Sequence, residues 1–158
     1  MKKNDDAKVV LPPVTQVGIV VKDAEKTADY YTSTLGIGPF RFFDGGLEKC
    51  TLRGEPATGK VKVALAQVGP LEIELIQIIE GAEYYAEFLR NKGEGIHHLG
   101  INVDTFETYD SLLAELAKQG IEPVFGARGR RSAFAYLDDQ TTSGLKLELI
   151  HFEQGVSL

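Results

Sequence analysis

A single cysteine, Cys50, in a chain of 158 residues excludes an intramolecular disulfide and suits a reducing compartment. It lies in an ordinary strand-like stretch and is read as structural. Tryptophan is absent, methionine occurs once, and there are three histidines, so the adjacent pair His97-His98 is conspicuous. No apolar run approaches the roughly 20 residues of a membrane helix. The opening Met1-Lys2-Lys3-Asn4-Asp5-Asp6 lacks the apolar segment of a secretory signal. A formal net charge of −6 with no basic run argues against nucleic acid as the main partner. These absences point to a cytoplasmic protein that works on a small molecule, away from membranes. What is present, 43% hydrophobic and 25% charged residues, is enough to bury a proper core.

The most informative stretch is Gly95-Ile96-His97-His98-Leu99-Gly100-Ile101-Asn102-Val103. After His98 the residues alternate, with Leu99, Ile101 and Val103 on one face of a strand and His98, Gly100 and Asn102 on the other. Gln16-Val17-Gly18-Ile19-Val20-Val21 repeats this pattern with Gln16 in the place of His98. A second echo joins Ile73-Glu74-Leu75-Ile76 to Leu147-Glu148-Leu149-Ile150, so the chain reads as two copies of one module.

Residues 1–13, polar and then Pro-rich, read as a flexible arm before a single domain over 14–158. Module 1 covers about 14–80, a linker helix lies within 81–95, and module 2 covers about 96–152. A first strand near Val14 to Val21 leads to a helix capped by Asp23 and ended by Gly36. Strands follow at Phe40 to Phe43, Leu47 to Arg53, Val61 to Val68 and Leu71 to Ile78, divided by Gly- and Pro-containing turns. In module 2, Asp104 and Glu107 form an expected capping box for a helix carrying Phe106, Tyr109, Leu113 and Leu116 on one face. Strands are expected at Ile121 to Phe125, Ser132 to Leu137 and Leu145 to Phe152, with Gly126-Ala127-Arg128-Gly129 as a break. The fold class is α+β: two tandem βαβββ modules forming a curved mixed sheet around a concave metal-binding cavity, helices outside.

Covering the apolar faces of the opening strands with each module's helix leaves Gln16, Glu74, His98 and Glu148 together on the uncovered face. One imidazole, two carboxylates and an amide oxygen make a first shell for one divalent metal ion, Zn²⁺, Ni²⁺, Co²⁺ or Mn²⁺. Taken singly, a strand glutamate is most often solvated and a strand histidine most often a hydrogen-bonded structural group. The repeat, which sets these residues at equivalent positions, favours the metal site. Gly18 and Gly100, on the same face, are expected to leave room for a ligand. By alternation His97 points away from the site, and His151 stays out of it.

These phrases, with Tyr30-Tyr31, Leu35-Gly36 and Gly144-Leu145-Lys146-Leu147-Glu148-Leu149, resemble the vicinal oxygen chelate superfamily over roughly Val14 to Phe152. The Gly-Ile-His-His phrase is most similar to methylmalonyl-CoA epimerases and their relatives. The resemblance implies a metal-dependent enzyme that is expected to be a homodimer. Epimerases usually begin the ligand set with histidine, whereas zinc-type glyoxalase I uses glutamine, glutamate, histidine and glutamate, the order found here. The groups with which that glyoxalase grips glutathione fall on Val20, Ile78 and about Glu94 here. The second acid of the acyl-CoA epimerases is replaced by Ala57, and their basic His-Pro-Lys has no match near Asp138-Asp139. Ring-cleaving dioxygenases need two histidines and one carboxylate around iron, which Gln16 argues against.

The chemistry that suits the quartet is proton transfer beside a carbonyl through a metal-stabilised enolate, with Glu148 removing the proton and Glu74 returning one on the opposite face. That is an epimerase or racemase acting on an acyl-CoA thioester or an aromatic ketone such as an isoflavanone. The alternatives are a glyoxalase-I-like lyase and a metal-free protein that sequesters a small aromatic molecule. Substrate contacts are expected from Phe40 and Phe42, as alternating aromatics, and from Arg128 and Arg131, as anion-gripping loop residues.

Overall fold

Residues 8–140 and 142–153 are described by a computed structural model of the chain. Residues 1–7 of the expected arm, Thr141 and the last five residues of the expected domain lie outside them. Two of the helices begin where a side chain satisfies a free backbone N–H group. Asp23 accepts from the Lys26 N–H at 3.0 Å to start α1 (Ala24–Leu35), and Gly36 ends it in the left-handed conformation. In α3 (Phe106–Lys118) the cap is Thr105, whose hydroxyl accepts from the Thr108 N–H at 3.1 Å. Asp104 stands one residue too early to reach that amide, which corrects the expected capping box. A third helix, α2 (Glu83–Lys92), joins the modules.

The strands are β1 (Gln16–Val21), β2 (Arg41–Gly46), β3 (Thr51–Leu52), β4 (Glu55–Pro56), β5 (Gly59–Val68), β6 (Leu71–Gly81), β7 (Gly95–Asn102), β8 (Pro123–Arg128), β9 (Ser132–Leu137) and β10 (Leu147–Phe152). They form one curled mixed sheet in the order β2-β5-β6-β1-β7-β10-β9-β8-β3-β4. Module 1 contributes β2-β5-β6-β1 and module 2 the mirror sequence β7-β10-β9-β8. The two join within one chain through the antiparallel β1–β7 pair. Leu47 to Cys50, expected as strand, instead crosses from β2 to the short β3–β4 hairpin, which pairs with β8 at the far edge. The strip Gly126 to Arg128, expected as a break, continues β8 against β9.

Helix α1 covers Leu75, Ala64 and Val21 on the outer face, and α3 covers Ile101, Val103 and Leu149. Val9 and Leu11 pack against the α3 cluster, so this part of the arm is seated rather than loose. Leu145, expected to open the last strand, precedes β10 and is exposed. On the inner face Tyr84, Tyr85 and Phe88 of α2 pack with Val20, Ile76, Phe125 and Tyr136, closing one end of the half-barrel. Burying these aromatic side chains contributes on the order of 2 kcal/mol each, which makes this end the rigid floor of the cavity.

Candidate metal centre

Four adjacent strands each supply one member of the quartet. Gly18 is flanked across the sheet by Glu74 and His98, and Gly100 by Gln16 and Glu148. The two glycines are there for close approach. A Cβ on Gly18 would fall 1.8 Å from His98 Cε1, and one on Gly100 would fall 2.8 Å from Gln16 Oε1. The room expected for a ligand above these glycines is therefore filled by the imidazole and the amide, which are laid inward across the neighbouring strand.

His98 Nε2 is the hub, 3.1 Å from Glu148 Oε2, 3.3 Å from Glu74 Oε2 and 3.3 Å from Gln16 Oε1. The ligand atoms of Glu74, His98 and Glu148 all lie within 4.8 Å of one another. One ring N–H cannot serve three oxygens, and the buried Glu74 Oε2 has no hydrogen-bond partner despite its approach to the ring. The residues fit a divalent cation. Ligands bound at about 2.1 Å are separated by roughly 3.0–3.4 Å along the edges of an octahedron or tetrahedron, the spacing seen around Nε2. The donor set, one nitrogen and three oxygens, suits zinc and the harder transition ions.

Burial alone would lower the His98 pKa, but Glu148 and Glu74 outweigh it and raise it to about 9. Burial raises Glu148 above the ordinary carboxylate range, with the facing His98 opposing it. Gln16 Nε2 donates to Glu72 Oε1 at 3.0 Å, which turns the amide oxygen toward His98. The hydroxyls of Tyr85 and Tyr136 lie 3.1 Å apart beside the cluster, and the Tyr136 hydroxyl helps to stabilise the Glu148 carboxylate. Both phenols are pushed well above their usual range by burial and stay neutral.

His97 departs from the expected alternation. The β1–β7 register shifts beside Gly18, leaving His97 as a bulge residue. Its Nδ1 lies 3.1 Å from His98 Nδ1, and its ring packs on Tyr84, Tyr85 and Phe88. Burial lowers its pKa to about 2 and keeps it neutral. His151, outside the cluster, binds the Val103 carbonyl through Nδ1 at 3.0 Å.

The cluster opens into a cavity of about 590 Å³ lined by Arg41, Phe43, Val63, Leu65, Phe134 and Tyr136, among others. The four expected substrate contacts do not reach it. Phe40 packs on Tyr31 at the outer face, and Phe42 alternates outward on β2. Arg128 pairs with Asp110 over the Phe106 ring, and Arg131 pairs with Glu153. The strand parity of β2 puts Arg41 and Phe43 inside, one residue off the expectation. Glu72 was legible in principle, since alternation places it on the face of Glu74. The Tyr85–Tyr136 contact, spanning different elements, left no local signal.

Among the described residues no helix is long and apolar enough to cross a membrane. A family model described as the glyoxalase/bleomycin resistance protein/dioxygenase superfamily matches residues 15–136. The chain is 27% identical over 135 residues to the uncharacterised protein YqjC of Bacillus subtilis strain 168, covering 84% of this chain and 87% of that protein. Its fold is similar to hypothetical protein BH1468 from Bacillus halodurans, at TM-score 0.71 and 21% identity, covering 92% and 98% of the two chains. It is also similar to methylmalonyl-CoA epimerase from Mycobacterium tuberculosis, at TM-score 0.70 and 22% identity over 91% and 90% of the two chains. A Streptomyces coelicolor methylmalonyl-CoA epimerase in complex with 2-nitronate-propionyl-CoA gives TM-score 0.72 at 19% identity, covering 94% and 99%.

Proposed function

The chain belongs to the glyoxalase/bleomycin resistance protein/dioxygenase superfamily, and from its His98 cluster we propose that it is a metal-dependent epimerase or racemase acting beside a carbonyl. The observation that carries the reading is the convergence of Gln16, Glu74 and Glu148 oxygens on His98 Nε2, at the inner end of a cavity of about 590 Å³. Gln16, Glu74, His98 and Glu148 would hold a divalent ion, which would supply Lewis acidity to a substrate carbonyl oxygen and so acidify the neighbouring C–H. Glu148 takes the proton from that C–H. Glu74, whose Oε2 has no hydrogen-bond partner, would enter the step protonated and return its proton from the opposite side. Apolar Val63 and Leu65 exclude water from the reacting carbon.

A glutathione-dependent lyase would use the same quartet, but the positions that would grip glutathione offer nothing to it. Val20 and Ile78 are packed in the inner core, and the Glu94 carboxylate accepts from the Lys22 N–H. A sequestering protein has no need of four convergent ligands.

Elemental analysis of protein purified without chelator tests the reading. About one divalent ion per chain is expected, lost in His98→Ala, together with deuterium uptake from D₂O into an α-chiral ketone or thioester. Protein without metal, and without thermal stabilisation by added Zn²⁺, Ni²⁺, Co²⁺ or Mn²⁺, would overturn it.

The pH dependence has a definite sign. With the ion absent, His98 holds its proton up to about pH 9 and must release it before Nε2 can bind a cation. Apparent Zn²⁺ affinity, read by chelator competition, should therefore rise about tenfold per pH unit between pH 6.5 and 8. The metal-free protein should show the opposite trend in stability. A folded pKa raised from 6.5 to about 9 gives stabilisation that is full below pH 6.5 and lost as the pH climbs toward 9.

A further inference from the structure

Among the described residues that line the cavity, Arg41 is the sole arginine or lysine. Four other arginines have carboxylate partners: Arg53 with Glu87, Arg90 with Glu83, Arg128 with Asp110 and Arg131 with Glu153. Arg41 makes no ion pair among the described residues, although Glu72, Glu74 and Glu148 line the same cavity. Its guanidinium rests over the Phe43 ring, 5.6 Å from the centroid, and is presented on an aromatic platform.

Its place in the sheet fixes its relation to the metal centre. Arg41 pairs with Leu65, Leu65 with Glu74, Glu74 with Gly18, and Gly18 with His98. These residues form one row across the half-barrel. Arg41 and Glu74 originate two strand spacings apart, roughly 10 Å along the sheet, and both point into the concavity. Between them lies Leu65, with Val63 on the same strand face. A molecule that reaches both ends has an oxygen at the cluster, an apolar middle over Leu65 and Phe43, and a group for a guanidinium at the far end.

We propose that Arg41 anchors an anionic group of the substrate, a carboxylate or phosphate carried several bonds from the carbonyl presented to the His98 cluster. A planar guanidinium binds either anion through two parallel N–H donors. Three glutamates on the other side of the cavity repel the same anion, so they orient the substrate as well. The assignment of the carbonyl end rests on the isomerase reading, whereas the anion end does not need turnover to be examined.

The test uses binding of 4-oxo-4-phenylbutanoate, its neutral methyl ester and phenacyl phosphate to the full chain by titration calorimetry. The wild type should bind the carboxylate or the phosphate at least about tenfold more tightly than the ester, and which of the two is preferred identifies the anion. Arg41→Met, which keeps the apolar stem over Phe43, should erase that preference and leave ester affinity unchanged within about twofold, while Arg41→Lys should retain part of it. Equal binding of acid and ester by the wild type, preference surviving in Arg41→Met, or no binding of any probe at millimolar concentration would overturn the proposal. If the anion preference holds in protein that binds no metal, the isomerase reading fails while the Arg41 site stands.

Discussion

Glu148→Gln and Glu74→Gln are each expected to abolish inversion of an α-chiral ketone while leaving deuterium exchange intact on one enantiomer only. The two carboxylates approach His98 Nε2 from different strands, β10 and β6, and in the proposed reaction would flank the substrate carbonyl. With Glu148 replaced, the enantiomer whose hydrogen faces it should lose exchange by about 10²–10⁴-fold, the range of a removed general base. The mirror enantiomer, served by Glu74, should still exchange but return with its configuration kept. The amide is isosteric and keeps one oxygen for coordination, so metal content measured beside the exchange separates loss of the base from loss of the site. Equal exchange of both enantiomers in a variant would show that the replaced carboxylate is not a base, and retained inversion would exclude the two-base scheme.

Much of this arrangement was legible because strand alternation has a period of two, and a repeat supplies a second reading of each face. Val17, Gly18 and Ile19 against Leu99, Gly100 and Ile101 located the two joining strands, and β1 and β7 pair side by side. Ile73 to Ile76 and Leu147 to Ile150 located their parallel neighbours, β6 and β10. Alternation failed where the backbone breaks its period. His97 sits at the register shift beside Gly18, and a bulge residue obeys neither face. The run Phe40-Arg41-Phe42-Phe43 at the start of β2 carries phenylalanine on both faces, so composition gives no parity. Arg128 and Arg131 looked like an anion grip by clustering, yet acids distant in sequence, Asp110 and Glu153, claim them. The β3–β4 hairpin could not be foreseen at the far edge of module 2, because so short a strand carries no signal of its partner.

The same geometry predicts that Gly18→Ala damages the proposed metal centre together with the fold. Gly18 lies in the central strand β1, where alanine is tolerated by the backbone. The added methyl group would fall 1.8 Å from His98 Cε1, 2.3 Å from Nδ1 and 2.4 Å from Nε2. No rearrangement of a few tenths of an ångström relieves such contacts. The imidazole must leave its position, taking Nε2 away from Glu74, Glu148 and Gln16 and from the Nδ1 contact with His97. Overpacking of this kind costs about 1–3 kcal/mol in stability, whereas metal affinity should fall by on the order of a hundredfold or more as one ligand is lost and the others are left unaligned. Gly36→Ala is the contrasting change: φ of 68° makes the residue strained, but no atom lies within 4 Å of the new methyl group. It should lower stability by about 1 kcal/mol and leave Zn²⁺ affinity unaltered. Chelator competition and denaturant unfolding on the two variants separate the effects. If Gly18→Ala binds Zn²⁺ as tightly as the wild type, His98 is not held against β1 as a ligand, and the metal centre described by these four residues is wrong.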